Sequence, residues 1–210
     1  MDWRLLGIAA PGFVAIAALV HWLTGTLGPM PGYFLAILIY NLAILLPLSL
    51  WKLGPAGIKA SLAPRRPGWM TLVLLVAVPL ALFGMVLVNG SAAALPVGAL
   101  AMIALVSLTN GTLEEVFWRG ALPDRTDLPA IGLALAAFTL WHLALLPAQG
   151  ATLTGGPPAL LGGAALLGAI WMASRVQSGT VGAGAISHVA LNLFAFADLW
   201  GAHLPGPGSP

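Results

Sequence analysis

The chain has 210 residues, of which 60% are hydrophobic and only 7% are charged. A soluble globular domain carries about 25% charged residues, so the charged side chains here are too few to cover a surface that faces water. The net charge of +2 is small and the basic residues do not cluster among aromatic residues, which excludes a nucleic-acid-binding protein. The absence of cysteine excludes disulfide bonds, thiol catalysis and thiolate metal sites.

A helix that crosses a bilayer needs about 20 mostly apolar residues, and we find seven such segments. In chain order they are Leu5–Thr24, Tyr33–Leu50, Trp69–Val88, Leu95–Leu113 (continuing as a helix toward Leu122), Leu128–Pro147, Pro158–Met172 and Val181–Trp200. The sixth segment is the shortest, and Lys52–Arg66 is predicted to be a basic loop. We therefore predict an all-α fold, a polytopic bundle of about seven transmembrane helices.

The composition does not change along the chain in a way that would mark a second domain. We predict one intramembrane domain over residues 1–204, with the motif-bearing helices roughly at 95–200. The Pro- and Gly-rich residues 205–210 are predicted to be a disordered tail.

The basic residues orient the predicted bundle. They all precede the first segment or lie between segments two and three, four and five, or six and seven: Arg4, Lys52, Lys59, Arg65, Arg66, Arg119, Arg125 and Arg175. With seven crossings these positions fall on one side, which the positive-inside rule makes cytoplasmic. We expect a cytoplasmic N-terminus and an outside C-terminus. The short loops and the Ala/Gly/Leu-rich composition favour a bacterial inner membrane.

Charged side chains inside a bilayer are rare and usually face a protein interior or a water-filled cavity. Near the end of the fourth segment stand Glu114, Glu115 and Arg119. Residues four apart share a helix face, so Glu115 and Arg119 are predicted to form an ion pair. Glu114 is turned about 100° away and is free to face a cavity, where a carboxylate can act as a general acid or base.

Two further pairs with a spacing of four lie in later segments. His188 and Asn192 direct an imidazole and a carboxamide to the same side of the seventh segment, where they could bind a developing oxyanion. Phe138 stands one turn before His142 in the fifth segment and would limit its rotamers. A glutamate and a histidine could activate water while the second histidine and the asparagine stabilise a tetrahedral intermediate, which fits hydrolysis of a peptide bond.

Each feature also has a simpler interpretation. A single histidine in a membrane helix is more often an interhelical hydrogen-bond partner, and the Glu-Glu-x-x-x-Arg pattern can be an interfacial cluster of charges. A transporter would need polar residues through both leaflets, whereas here they lie from the cytoplasmic half to the middle of the bilayer. Three polar pairs on three segments of so apolar a chain favour a catalytic site.

The three motifs together resemble the CPBP family, the CAAX prenyl protease and bacteriocin-processing (Abi) intramembrane proteases. The resemblance covers about the second half of the chain. It implies that Glu114, with His142, activates the hydrolytic water and that His188 and Asn192 form the oxyanion side. Glu115 and Arg119 would then orient and buffer the site of a glutamic-type peptidase.

The resemblance also implies a membrane-associated peptide or protein substrate, for example a lipidated or membrane-anchored C-terminal segment. We expect no cofactor and a site that opens toward the cytoplasm. Zinc held by Glu114, His142 and His188 is the alternative, since two histidines and a carboxylate can form such a site. A non-catalytic membrane scaffold or a bacteriocin self-immunity protein of the same fold is the alternative function.

One geometric requirement follows from helix lengths. At about 1.5 Å per residue, His142 lies deeper from the cytoplasmic face than Glu114 or His188. The three groups can meet only if residues 121–128 dip into the bilayer or the fifth segment begins deeper than predicted.

Overall fold

The computed structural model describes residues 1–90 and 92–204, and these residues form α-helices without any β-strand. The helices are α1 Trp3–Leu27, α2 Pro29–Tyr40, α3 Leu46–Ser61, α4 Trp69–Asn89, α5 Val97–Glu115, α6 Leu128–Trp141, α7 Gly156–Ser178 and α8 Gly182–Gly201. The predicted all-α fold is thus confirmed. The predicted tail, residues 205–210, lies outside the described residues.

Three short segments extend or join these helices. The π-helical Asn41–Leu45 joins α2 to α3, the π-helical Val116–Ala121 continues α5, and the 3₁₀ turn His142–Leu145 continues α6. A reason for the first π segment is Pro47, whose ring crowds the carbonyl group four residues earlier in an α-helix. The backbone widens there, and the amide of Leu46 donates to the carbonyl of Asn41 five residues back.

Seven helical stretches in the described residues are long and apolar enough to cross a membrane, which confirms the predicted number. The sixth, predicted to be the shortest, has 23 residues. The predicted basic loop Lys52–Arg66 is wrong in its first part, because the helix continues to Ser61 through a kink at Gly54. The charge on Lys52 that suggested a loop is paired in the fold, with Asp2 at 2.6 Å and Asp124 at 2.7 Å.

The connections between the spans gather at two ends of the bundle. We call the end formed by residues 1–2, 62–68, 122–127 and 179–181 the basic end. Lys52 links the first and third of these connections there, and the amide of Val181 donates to the carbonyl of Ser61 at 2.8 Å.

The connections at residue 28, residues 146–155 and residues 202–204 form what we call the opposite end. Here the amide of Gln149 donates to Thr24 Oγ1 at 2.8 Å, and the amide of Thr152 donates to His203 Nε2 at 2.9 Å. Apart from the connection between α4 and α5, successive connections along the chain therefore alternate between the two ends.

Two glycines let the helices that carry the polar motifs approach closely. A Cβ atom on Gly111 of α5 would lie 2.6 Å from the backbone nitrogen of Val189 in α8. A Cβ atom on Gly168 of α7 would lie 2.9 Å from Nη2 of Arg119. The backbones of α5 and α8 are therefore nearly in contact, and α7 closes directly over Arg119.

Candidate active site

The side chains of Glu114, His142, His188 and Asn192 line one cavity of about 530 Å³. They come from α5, from the 3₁₀ turn after α6 and from α8, so residues far apart in sequence meet. Phe138 also lines this cavity, whereas Glu115 and Arg119 are buried beside it.

The contact between Arg119 and Phe138 explains how His142 reaches the level of Glu114. The guanidinium carbon of Arg119 lies 3.9 Å from the centroid of the Phe138 ring. The helix that carries Arg119 and the helix that carries Phe138 run in opposite directions. Glu114, about one turn before Arg119, therefore lies at the level of His142, one turn after Phe138. The end of α5 is buried, with Leu122 fully covered and its carbonyl accepting from the amide of Asp2. The chain near residue 121 is thus buried within the bundle.

Glu115 is the centre of a buried charge network. Its Oε1 lies 3.0 Å from Nη1 of Arg119, so the predicted ion pair is present. The same oxygen accepts from Nδ1 of His188 at 3.1 Å. Arg119 is covered by the rings of Phe138 and Trp171, at 3.9 and 5.4 Å from its guanidinium carbon. Aromatic faces attract a cation, so these rings help Arg119 to keep its charge out of water.

His188 is held between the two glutamates. While Nδ1 faces Glu115, Nε2 lies 3.7 Å from Oε2 of Glu114. The imidazole stacks on Trp171 with centroids 3.8 Å apart and an angle of 14°. A hydrogen bond at one ring nitrogen sets the protonation of the other, so a neutral His188 carries its proton on Nδ1 and presents a lone pair at Nε2.

His142 is oriented by its own helix. Its Nδ1 donates to the backbone carbonyl of Phe138 at 2.8 Å. The Phe138 ring packs against it edge to face at 4.9 Å, which is the packing that the spacing of four predicted. The neutral ring therefore leaves Nε2 as a hydrogen-bond acceptor.

An amide chain connects α8 to the π segment before α3. The Nδ2 atom of Asn192 donates to Oδ1 of Asn110 at 2.9 Å, and Nδ2 of Asn110 donates to Oδ1 of Asn41 at 3.4 Å. The sequence analysis did not single out Asn110, although its position one turn before Glu114 on an apolar helix is a usable signal. Asn110 lines the cavity beside Asn192.

Aromatic side chains complete the walls, and sequence reasoning did not distinguish them from ordinary core residues. Tyr33, Trp141 and Trp171 line the cavity. Trp141 stacks on Tyr40 with centroids 3.7 Å apart, and the Tyr40 hydroxyl accepts from Nε1 of Trp118 at 3.1 Å. Side chains this rigid fix the shape of the cavity around the polar groups.

The candidate zinc ligands are not arranged as a metal site. Among residues 1–90 and 92–204, no group of three or more His, Asp or Glu side chains is arranged to hold a metal ion. Glu114, His142 and His188 therefore do not fit a three-ligand zinc site.

Comparison with known proteins adds one finding. Residues 96–194 match the family model for type II CAAX prenyl endopeptidases, described as Rce1-like. The match covers 99 of the 210 residues and supports membership of the CPBP family. The matched stretch contains every motif residue from Glu114 to Asn192, and no curated protein or solved structure matches the chain. Together with the seven apolar helices, this match supports a multi-pass membrane protein of the protease (hydrolase) class.

Proposed function

We propose that the chain is a glutamic-type intramembrane endopeptidase whose catalytic groups are Glu114, His142, His188 and Asn192. The observation that carries the proposal is their convergence on one cavity inside an apolar bundle. Burying a carboxylate in a membrane protein is unfavourable, and a protein that served only as a scaffold would gain nothing from such a group.

Glu114 is assigned as the general base because Arg119 neutralises its neighbour Glu115. Glu114 is 2% exposed and lines the cavity, as does His142. A water molecule between them would donate one proton to the carboxylate and the other to Nε2 of His142 in a hydrogen bond. Such positioned proton transfer contributes about 10²- to 10⁴-fold to the rate.

The reaction then follows in two steps. The water oxygen attacks the carbonyl carbon of the scissile bond while Glu114 takes its proton, giving a tetrahedral intermediate with a negative oxygen. The carbon–nitrogen bond breaks as Glu114 returns that proton to the nitrogen. A new carboxylic acid and a new amine are the products.

Asn192 and His188 are assigned to the negative oxygen of the intermediate. Asn192 Nδ2 carries two protons and gives one to Asn110, which leaves the other for the oxyanion. His188 can donate from Nε2 only when its ring is protonated, because Nδ1 already faces Glu115. The imidazolium form would lie between Glu114 and Glu115.

Glu115, Arg119 and Phe138 are assigned as supporting residues. Glu115 orients His188 in the way that the carboxylate of a serine-protease triad orients its histidine. Arg119 balances the charge of Glu115, and Phe138 packs against both Arg119 and His142.

The same proposal includes a location. All eight basic residues fall in or near the basic end, so we place that end and the N-terminus in the cytoplasm and the C-terminus outside, in a bacterial inner membrane. Residues 1–204 are taken as one domain.

Comparative peptidomics of cells that carry the wild-type chain or Glu114→Gln tests the proposal. Peptides with new termini should be present with the wild type and absent with Glu114→Gln, provided that both proteins are inserted in equal amounts. Asp124→Asn is the control, because it also replaces a carboxylate by an amide, on a side chain that is 41% exposed at the basic end. It should behave as wild type. Equal peptide sets, with full function of Glu114→Gln in cells, would instead favour the scaffold or self-immunity role.

A further inference from the structure

The cavity has a polar floor and an apolar body. Glu114 and His188 lie at the floor, seven and six residues from the basic ends of their transmembrane helices at Ala121 and Gly182. The body is lined by apolar side chains of α4, α7 and α8, among them Val78, Leu82, Leu160, Leu167, Leu191 and Phe196.

Fully buried side chains close the cavity toward the basic end. Phe117, Trp118 and Leu122 are 0% exposed, and Arg119 is 2% exposed. These residues follow Glu114 in the chain and lie between the floor and residues 123–127. Buried side chains therefore separate Glu114 from the basic end.

The cavity extends instead to the opposite end and to the lipid-facing surface. Thr154, in the connection at the opposite end, lines it and is exposed. Met85 of α4 and Ala159 of α7 also line it, and Met85 is 57% exposed. At the basic end α4 and α7 are joined, because the amide of Gly68 donates to Oε1 of Gln177 at 2.9 Å. Toward the opposite end both helices line the cavity.

We infer that the substrate is a membrane-anchored peptide segment that reaches the site from the opposite end, between α4 and α7. This inference rests on the proposed function for the chemistry at the floor. With the basic end in the cytoplasm, the substrate would lie in the outer leaflet or outside it, which makes anchors of exported proteins the substrate class. The expectation from sequence that the site opens toward the cytoplasm is replaced by this inference.

The length of the cavity limits the substrate. Helix α8 lines the cavity from His188 at the polar floor to Phe196 in the apolar body. These eight residues of helix give the cavity a length of about 12 Å. An extended peptide advances about 3.3 Å per residue, so about four residues fit between the scissile bond and the mouth. The lining favours apolar residues at these positions.

Thiol labelling tests the direction of access without any need for activity. The chain has no cysteine, so each variant carries a single thiol. Thr154→Cys and Thr126→Cys are a matched pair, since both threonines are exposed in connections at opposite ends. A membrane-impermeant maleimide should label Thr154→Cys in intact cells and Thr126→Cys only after permeabilisation. The reverse pattern would overturn the inference.

A second pair tests whether the cavity is open to water from that side. Ala195 lines the cavity, whereas Ala190 of the same helix does not line it. A small water-soluble methanethiosulfonate added outside should label Ala195→Cys at least tenfold faster than Ala190→Cys. Labelling of Ala195→Cys only from the cytoplasmic side, or from neither side, would contradict the inference.

The outcomes separate this inference from the proposed function. If Glu114→Gln keeps full peptidase activity, the proposed catalytic role fails while the labelling pattern is unaffected. If labelling shows access from the cytoplasmic side, the catalytic role of Glu114 stands and only the direction and the substrate class are wrong. Each thiol variant must first match the wild type in thermal unfolding.

Discussion

Nε2 of His188 lies 3.7 Å from Oε2 of Glu114 across the floor of the cavity. The other nitrogen of that ring faces Glu115, which Arg119 neutralises. The two adjacent glutamates therefore have different environments, although the sequence gives them the same side chain. Glu115 belongs to a buried charge network, and Glu114 faces the space in which a substrate can bind. The first prediction follows from this difference.

Glu114→Gln and Glu115→Gln should fail in different ways. Glu114→Gln removes the base, so we expect cleavage to fall by about 10²- to 10⁴-fold with little change in the free energy of unfolding. Glu115→Gln leaves the buried Arg119 without a counter-charge, which destabilises a protein by about 3–5 kcal/mol. Cleavage rates and denaturant unfolding in detergent would measure both quantities. An active Glu114→Gln protein, or a Glu115→Gln protein of wild-type stability, would contradict the respective assignment.

Asn110 should act through Asn192, because the two amides are hydrogen-bonded at 2.9 Å. We expect Asn192→Leu to lower kcat by about 10²- to 10³-fold, as loss of one oxyanion donor does, and Asn110→Leu to lower it less, with KM unchanged in both.

A double-mutant cycle checks this coupling. The double variant should be no slower than Asn192→Leu alone, since contacting residues are not additive. If the two effects multiply, Asn110 does not work by positioning Asn192.

Gly111 should be required for the close contact of α5 with α8. In Gly111→Ala the new methyl group would meet the backbone of Val189 at 2.6 Å, and overpacking of this kind costs about 1–3 kcal/mol. It would also separate Glu115 from His188 and reduce cleavage. Gly98→Ala in the same helix is the control, since a Cβ atom there meets nothing within 4 Å. The thermal unfolding temperature should fall only for Gly111→Ala. Equal unfolding temperatures of the two variants would argue against the tight contact.

Asp2 gives a pH dependence at the basic end. The hydrogen bond from Lys52 holds the pKa of Asp2 below its usual range. A carboxylate with a lowered pKa in the folded state contributes stability above its unfolded pKa, and that contribution is lost as the pH falls through the folded value.

Asp2→Asn tests this contribution, because asparagine can still cap α1 and only the charge is removed. We expect it to lower stability by about 1 kcal/mol or less at neutral pH, as for other ion pairs at surfaces. The difference from the wild type should disappear in acid, below the folded pKa of Asp2. A difference that is the same at every pH would show that the charge is not responsible.

Metal removal should leave cleavage unchanged. The reason is the donor geometry, because no three His, Asp or Glu side chains in residues 1–90 and 92–204 are grouped for a metal. The measurement is the cleavage rate after dialysis against a strong chelator, together with metal analysis of the purified protein. Loss of activity that zinc restores would contradict the glutamic-type mechanism.

The spans could be predicted from the sequence because apolarity over about 20 residues is a local property. The end of α3 could not be predicted from the sequence, because Lys52 and Lys59 are typical of a loop. Only the fold shows the partners of Lys52. The π-helical segment Val116–Ala121 is not predictable either, since nothing in the local sequence indicates its cause.

The site was predictable where polar residues share one helix face. The ion pair of Glu115 with Arg119 and the packing of Phe138 on His142 follow from a spacing of four residues. The contact of His188 with both glutamates and the link from Asn192 to Asn110 depend on how α5 and α8 pack. The direction in which the cavity opens depends on α4 and α7. The residues of these helices that line the cavity are as apolar as those that face lipid, so the sequence does not distinguish the two faces.

The most direct test of the account is cleavage by the purified protein in lipid nanodiscs. The substrate would be a peptide identified by the peptidomic comparison, and new termini would be counted by mass spectrometry. We predict that the wild type cuts the peptide at one site and that Glu114→Gln, with unchanged thermal unfolding, does not cut it. Cleavage by Glu114→Gln at the wild-type rate would contradict the central claim that this carboxylate activates the water.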